Sequence, residues 1–335
     1  MKKGIFDLIK EDQLEKYAKL AVQIGVNVQK NQLVIIHSDI NNAPFARQIQ
    51  TAAYERGAAN VVMDWTDEQS TLSFYLHAAD DAIDKLPDWQ HARFKEWENE
   101  GAAYIHNISE NFGVYDDVSA ERISRFQKAT RSKLEGYYSK VMSHEVRWCL
   151  LAVPSLTWAS KVFPNVVEEK AVQLLWQAIL RGARADGYNP FSEWKKHDLA
   201  FESRKAFLNE SQFNKLHFKN NQGTDLVVGM PKNHIFIGGG VKDNNGIPFF
   251  PNIPTEEIFS APHKNEVNGK LVASKPLVYG GSVINDISLS FKDGRITTYD
   301  AKTGKGALEG IIETDGFMLR TVQKKEKSLM KILHM

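Results

Sequence analysis

The stretch LVIIHSDINNAPFARQIQTAAYERGAANVVM, Leu33 to Met63, decides the fold. Leu33 to Ile36 is a continuous apolar run introduced by Asn31 and Gln32, the pattern of a strand buried on both faces. Pro44 to Gly57 then carries Phe45, Ile49, Ala52 and Ala53 at helical spacing, with Gly57 as the C-cap. Ala59 to Met63 is a second buried strand. Strand, helix, strand at this spacing is a βαβ unit, and such units build parallel sheets covered by helices.

Outward from this unit, Leu14 to Val26 places Leu14, Tyr17, Ala18, Ala21, Val22 and Ile24 near helical spacing, while Gly101 to Ile108 reads as a third strand. Ala120 to Lys140 is expected to be helical. Glu168 to Ala185 is a stronger helix, with Val172, Leu175, Trp176, Ile179 and Leu180 on one face. After Phe213 the texture changes to short alternating runs at Lys215 to Phe218, Leu226 to Val228, His234 to Ile237, Lys270 to Val272, Ile287 to Phe291 and Ile296 to Tyr299. Turn residues separate them, and Lys292-Asp293-Gly294-Arg295 is a hairpin signal because Asp-Gly tolerates positive φ. The expected class is α/β, an N-terminal open parallel sheet with covering helices followed by a strand-rich α+β second domain that is incomplete. The corresponding division is 1–115, 116–315 and a tail at 316–335.

The chain has 335 residues, enough for two cores, and its 42% apolar and 25% charged composition is that of a globular protein. A net charge of +1 provides no global field for nucleic acid or an anionic membrane, so neither is expected as a partner. No run approaches the roughly 18 apolar residues that span a bilayer, and Met1 to Lys10 does not read as a secretory signal. A lone cysteine, Cys149, fits a reducing compartment, and a cytoplasmic location is expected. Between Trp148, Leu150 and Leu151 it reads as a core residue rather than a nucleophile.

Compact catalytic signatures are absent: there is no His-Glu-x-x-His, Cys-x-x-Cys, Gly-x-Ser-x-Gly or phosphate-binding glycine loop. After Ile36 the chain reads HSDINNAPF, which lacks the glycine-rich turn of a nucleotide site. The densest unusual segment is PFFPNIPTEEIFSAPH, Pro248 to His263, in which Glu256 and Glu257 sit among prolines and phenylalanines. A carboxylate fixed in such a loop suits a metal ligand or a general base. On composition alone the ordinary alternative is favoured, in which Thr255 caps a helical turn and both glutamates stabilise its N-terminal end. Gly238-Gly239-Gly240 permits close backbone approach but reads first as a plain bend. His234 alternates with apolar neighbours, so a core or edge role outweighs metal ligation. Trp148, Pro154, Trp158, Phe163 and Pro164 read as core before pocket.

Five blocks taken together carry a family resemblance: LEKYAKLAVQIGVNVQKNQLVII, RWCLLAVPSLTWASKVFP, NPFSEWKKH, GTDLVVGMPKNHIFIGG and NIPTEEIFSAPHKNEVNGKLVASKPL. In this order, from about Leu14 to Asp315, they resemble the thermophilic aminopeptidase family, of the aminopeptidase T, aminopeptidase S and streptococcal peptidase S type. The resemblance implies a metalloprotease that hydrolyses short peptides by releasing N-terminal residues, and a homodimer. It also implies two divalent ions (zinc, cobalt, manganese or magnesium) held by two glutamates, two histidines and an aspartate. The first glutamate lies in the Pro-Thr-Glu-Glu motif, which puts the metal ligand on Glu257 in preference to Glu256. In such a site the metal pair lowers the pKa of a bridging water and polarises the peptide carbonyl.

The departure from the family pattern starts after Asp315. The expected Leu-Gly-Glu, Asn-Ala-Ser-His and Ser-Leu-Thr-His-Val-Asp type segments do not occur, and GFMLRTVQKKEKSLMKILHM stands in their place. That basic stretch reads as a frameshift or early stop, with Glu326 and His334 as its candidate ligands. One carboxylate cannot hold a metal pair, so activity of the chain as written is expected to be low. The alternative is an inactive remnant that binds peptides or dimerises.

Overall fold

The computed structural model describes residues 4–279 and 282–314. The tail at 316–335, with Glu326 and His334, lies outside the described residues. Two compact units are present, one of residues 4–199 with Gly239–Glu256, the other of Ala200–Gly238 with residues 257–314. The division expected at residue 115 falls inside the first unit.

The βαβ reading holds. Strand β1 (Leu33–Asp39), a helix at Ala43–Arg56 and strand β2 (Asn60–Thr66) follow in order, and Gly57 ends the helix at φ 102°. Strands β3 (Ala103–Ile108) and β4 (Trp148–Ala152) complete the row. All pairings are parallel, in the order Asn252–Ile253, β4, β3, β1, β2. Strand β4 was not expected, because a five-residue apolar run is too short for periodicity to tell strand from core helix.

A parallel sheet needs cover on both faces. Val34, Ile36, Ala103, Ile105, Cys149 and Leu151 face one core, which includes Leu14, Tyr17, Ala18 and the Val172, Leu175, Trp176 stripe of the helix at Glu168–Gly182. Ile35 and Tyr104 face the other, with Leu86, Trp97, Leu134 and Tyr137. The Tyr17 hydroxyl, fully buried, donates to the Ala152 carbonyl and accepts from the Ala152 amide, tying the first helix to the edge of β4. Helices at Glu68–His77, Asp88–Asn99 and Pro190–Ser211 had no clear sequence signature. In the last, Trp194 and Phe201 are buried while Leu199 and Phe207 are exposed, so no single apolar stripe forms. The helix expected over Ala120 to Lys140 is broken at Leu134, which separates Ala120–Lys133 from Glu135–Met142.

The return segment of this unit is anchored by a buried ion pair. Arg147 Nε lies 3.2 Å from Asp243 Oδ2, each side chain about 5% exposed. Arg147 Nη1 also donates to the Val26 and Asn27 carbonyls, and Asp243 Oδ1 accepts from the Asn245 and Ile247 amides. Such pairing offsets the desolvation of two charges.

The second unit contains an antiparallel sheet ordered Arg295–Asp300, Ser288–Lys292, Val267–Val272, Asp225–Gly229, Lys215–Lys219. The Asp293-Gly294 hairpin is present, at φ 50° and 77°. Leu226, Val228, Val267, Leu271 and Leu289 form its core with Leu308 and Ile311 of the helix at Lys305–Thr314. His234 to Ile237 was expected as a strand, but only Ile237–Gly238 pairs. Among the described residues no helix is long and apolar enough to cross a membrane.

Aligned register places Asp64, His37 and His106 side by side on β2, β1 and β3. His37 Nδ1 lies 2.6 Å from Asp64 Oδ2, Arg93 Nη1 lies 2.8 Å from Asp64 Oδ1, and the His37 and His106 rings stack at 4.5 Å. Burial alone would raise the Asp64 pKa, but the His37 hydrogen bond and the His37 and Arg93 charges hold it below the usual range. Burial, reinforced by His37, pushes His106 down to about 3. The unfolded chain therefore binds a proton at His106 that the folded chain refuses, so stability is full above about pH 6.5 and drains as the pH falls toward the folded value. His106→Phe, which keeps a stacking ring, is expected to flatten the slope of unfolding free energy between pH 6.5 and about 3 by up to about 1.4 kcal/mol per pH unit. Urea unfolding at a series of pH values checks it; an unchanged slope refutes it.

Candidate functional site

The loop Pro248 to His263 is apolar because its first part packs into the core. Phe249, Phe250 and Ile253 are buried, the Phe250 amide donates to the Ile24 and Gly25 carbonyls, and the Leu150 amide donates to the Pro251 carbonyl. Asn252–Ile253 thereby becomes an edge strand beside β4. Trp194 packs on Phe250 at 5.0 Å and on His197 at 5.6 Å, and its Nε1 donates to the Ala183 carbonyl. His197, itself buried, sits 2.8 Å through Nε2 from the Thr255 carbonyl oxygen.

Thr255 does not cap a helical turn: Thr255, Glu256 and Glu257 lie in no regular element and lead into the strand Ile258–Phe259. The alternative favoured by composition is thus not found. Glu256 is committed to an ion pair, its Oε1 2.7 Å from Arg184 Nη2 and 3.9 Å from His197 Nε2. With 59% of its side chain exposed, that pair is screened and contributes little to stability.

Glu257 belongs to the second unit, where Ile258–Phe259 pairs antiparallel with Ile237–Gly238. Gly238 runs at φ 151°, and a Cβ there would stand 2.0 Å from the Glu257 carbonyl oxygen. The triple glycine is therefore not a plain bend: its first member is a paired strand residue. The hairpin bend lies beyond it at Asp243 to Gly246, between Val241–Lys242 and Pro248–Phe249.

His234 is buried, places Nδ1 2.9 Å from the Pro231 carbonyl oxygen and packs edge-on against Phe236. Its Nε2 has no hydrogen-bond partner among the described residues. His263 places Nδ1 3.6 Å from Glu266 Oε1. Among the described residues no group of three or more His, Cys, Asp and Glu side chains converges as a metal site. Glu257 is not joined by His234 or His263 in such a group.

The tryptophan-rich stretch proves structural. Trp148 lies in β4, donates Nε1 to the Val141 carbonyl and packs half-buried against the core of Ile35 and Tyr104, while Trp158 and Phe163 pack half-buried against the core of Val34 and Ile36. Cys149 is fully buried, and a Cβ on Gly25 would come within 2.6 Å of its sulfur.

The model of the thermophilic metalloprotease (M29) family matches residues 10–316, and the chain belongs to that family. Aminopeptidase AmpS of Bacillus subtilis (strain 168) is 37% identical over 303 residues, covering 90% of this chain and 74% of the relative. Aminopeptidase 2 of Geobacillus stearothermophilus is 35% identical over 305 residues, covering 91% and 74%. Wild-type AmpT from Thermus thermophilus superimposes with a TM-score of 0.85 at 32% identity, over 92% of this chain and 76% of that one. By family the chain is a metallo-aminopeptidase, and its mixed α/β architecture is that of AmpT.

Burial pushes the Cys149 thiol far up, so the nucleophilic thiolate is not formed near neutral pH. The native chain is expected to leave Ellman's reagent unreacted over the time in which the urea-unfolded chain releases one equivalent. Rapid native labelling would overturn the core assignment.

Proposed function

We propose that this M29 chain is built to release N-terminal residues from short peptides, with Glu257 as a metal donor of its site. Family membership carries the reaction class. The resemblance of the Pro-Thr-Glu-Glu motif to the family pattern supports Glu257 over its neighbour.

The described residues do not by themselves fit a divalent metal pair. Ions of this class take several converging oxygen or nitrogen donors and an ordered outer shell, and the described residues bring no group of three. When bound, such ions supply an acidified water and a polarised carbonyl. No step through them is derived from this donor set. The described residues accordingly carry a peptidase scaffold with fewer converging donors than a metal pair takes, and that donor count favours peptide binding without turnover as the second reading.

Purified chain given zinc, cobalt or manganese is expected to hydrolyse aminoacyl chromogenic substrates at the blank rate, and elemental analysis to find well under two ions per chain. Turnover comparable to that of an active relative, with two ions bound, would refute the incomplete-site reading.

The resemblance also implies self-association, and the lone Cys149 suits the cytoplasm. We assign the chain a homodimeric state there. Light scattering after gel filtration should give twice the chain mass; a monomer at micromolar concentration rejects the assignment.

A further inference from the structure

A cavity of about 260 Å³ lies in the first unit at the N-terminal ends of the parallel strands, where Gln32 precedes β1, Gly101 and Ala102 precede β3, and Val146 precedes β4. Its walls carry five ionisable side chains, Lys140 and Arg147 against Glu98, Glu145 and Asp243. Drug-sized ligands begin at roughly 300 Å³, so this one suits a smaller molecule.

Arg147 is the group whose partners run out. Its buried side chain faces Asp243 Oδ2 through Nε and donates through Nη1 to the Val26 and Asn27 carbonyls, while Nη2 hydrogen-bonds none of the described residues. Burial pulls its pKa down against the opposing field of Asp243, the mark of a cation short of compensation. A carboxylate suits the open side of a guanidinium, whose donors form a planar fork. Lys140 supplies a second cation. Its ammonium pairs with Glu98 Oε1 and is half-exposed, so further N–H donors remain for a ligand. A simple anion does not match, because three carboxylates face two cations. The surplus one is Glu145, whose Oε1 accepts from the Ser143 hydroxyl and whose Oε2 is left for a positive group.

We propose that this cavity binds a free α-amino acid, a small zwitterion whose carboxylate lies on Arg147 and Lys140 and whose ammonium lies on Glu145. One ligand of zero net charge then meets both signs of the lining, and Arg147 gains the partner it lacks. The ligand class follows from the lining and does not rest on the reading of the chain as a peptidase. That free amino acids are also what N-terminal release yields does rest on it.

Amide spectra of the full chain titrated with L-alanine test the proposal. Alanine should shift Gly101, Ala102, Val146 and Asn245 along saturable curves. Propionate lacks the ammonium and ethylamine lacks the carboxylate, so each should bind at least about tenfold more weakly, as expected for one lost charged hydrogen-bond partner. Glu145→Gln should weaken alanine by a similar factor and leave propionate as in the parent chain, whereas Lys140→Met should weaken both. A merely structural role for either residue would not separate the two ligands in this way. Should a variant fail to fold, the comparison of the three ligands on the parent chain carries the test. Absence of saturable shifts with alanine overturns the proposal. Equal binding of alanine and propionate, or saturable shifts confined to Glu257, Ile258 and Phe259, overturns it as well, the first by leaving only an anion site and the second by placing the amino acid elsewhere.

Discussion

Parallel pairing of β1 with β2 on one side and β3 on the other is the constraint on which the first unit depends. A strand flanked in this way has its amides satisfied by neighbours but both faces exposed to water unless helices cover them. Val34 and Ile36 demand one cover and Ile35 the other, and the two cores answer that demand. Even the loop that leads to the glutamates is governed by it. Asn252–Ile253 can dock only because β4 leaves an open edge, and the Leu150 amide finds its partner in the Pro251 carbonyl.

The same sheet carries ionisable groups where apolar side chains are the rule. Asp64, His37 and His106 share one level, and Arg93 from the helix Asp88–Asn99 neutralises the carboxylate while lying 4.7 Å over the Trp97 ring. The row is stable near neutral pH because the one full negative charge has its partners and His106 remains uncharged.

Adjacent glutamates in the second half of the Pro248 to His263 loop have unlike surroundings. Glu256 ends the first unit, paired with Arg184, whereas Glu257 precedes the strand Ile258–Phe259 of the second unit, its carbonyl oxygen 2.0 Å from where a Cβ on Gly238 would stand. Neighbours in the chain point apart, so one acidic pair in the sequence meets two different surroundings.

Much was legible in the residues alone. The apolar runs at Leu33 to Ile36 and Ala59 to Met63, with Gly57 between, specify a βαβ unit because local period and cap act over a few residues. The Asp293-Gly294 hairpin is determined in the same local way, and the Pro-Thr-Glu-Glu block identifies the family. What only the tertiary structure decided depends on partners far along the chain. Trp148–Ala152 is a strand because β3 lies beside it, and the apolar loop at Phe249 to Ile253 is core because the Ile24 and Gly25 carbonyls await its amide. Gly238 is required because Glu257 passes 19 positions later, a contact that no local pattern of glycines encodes.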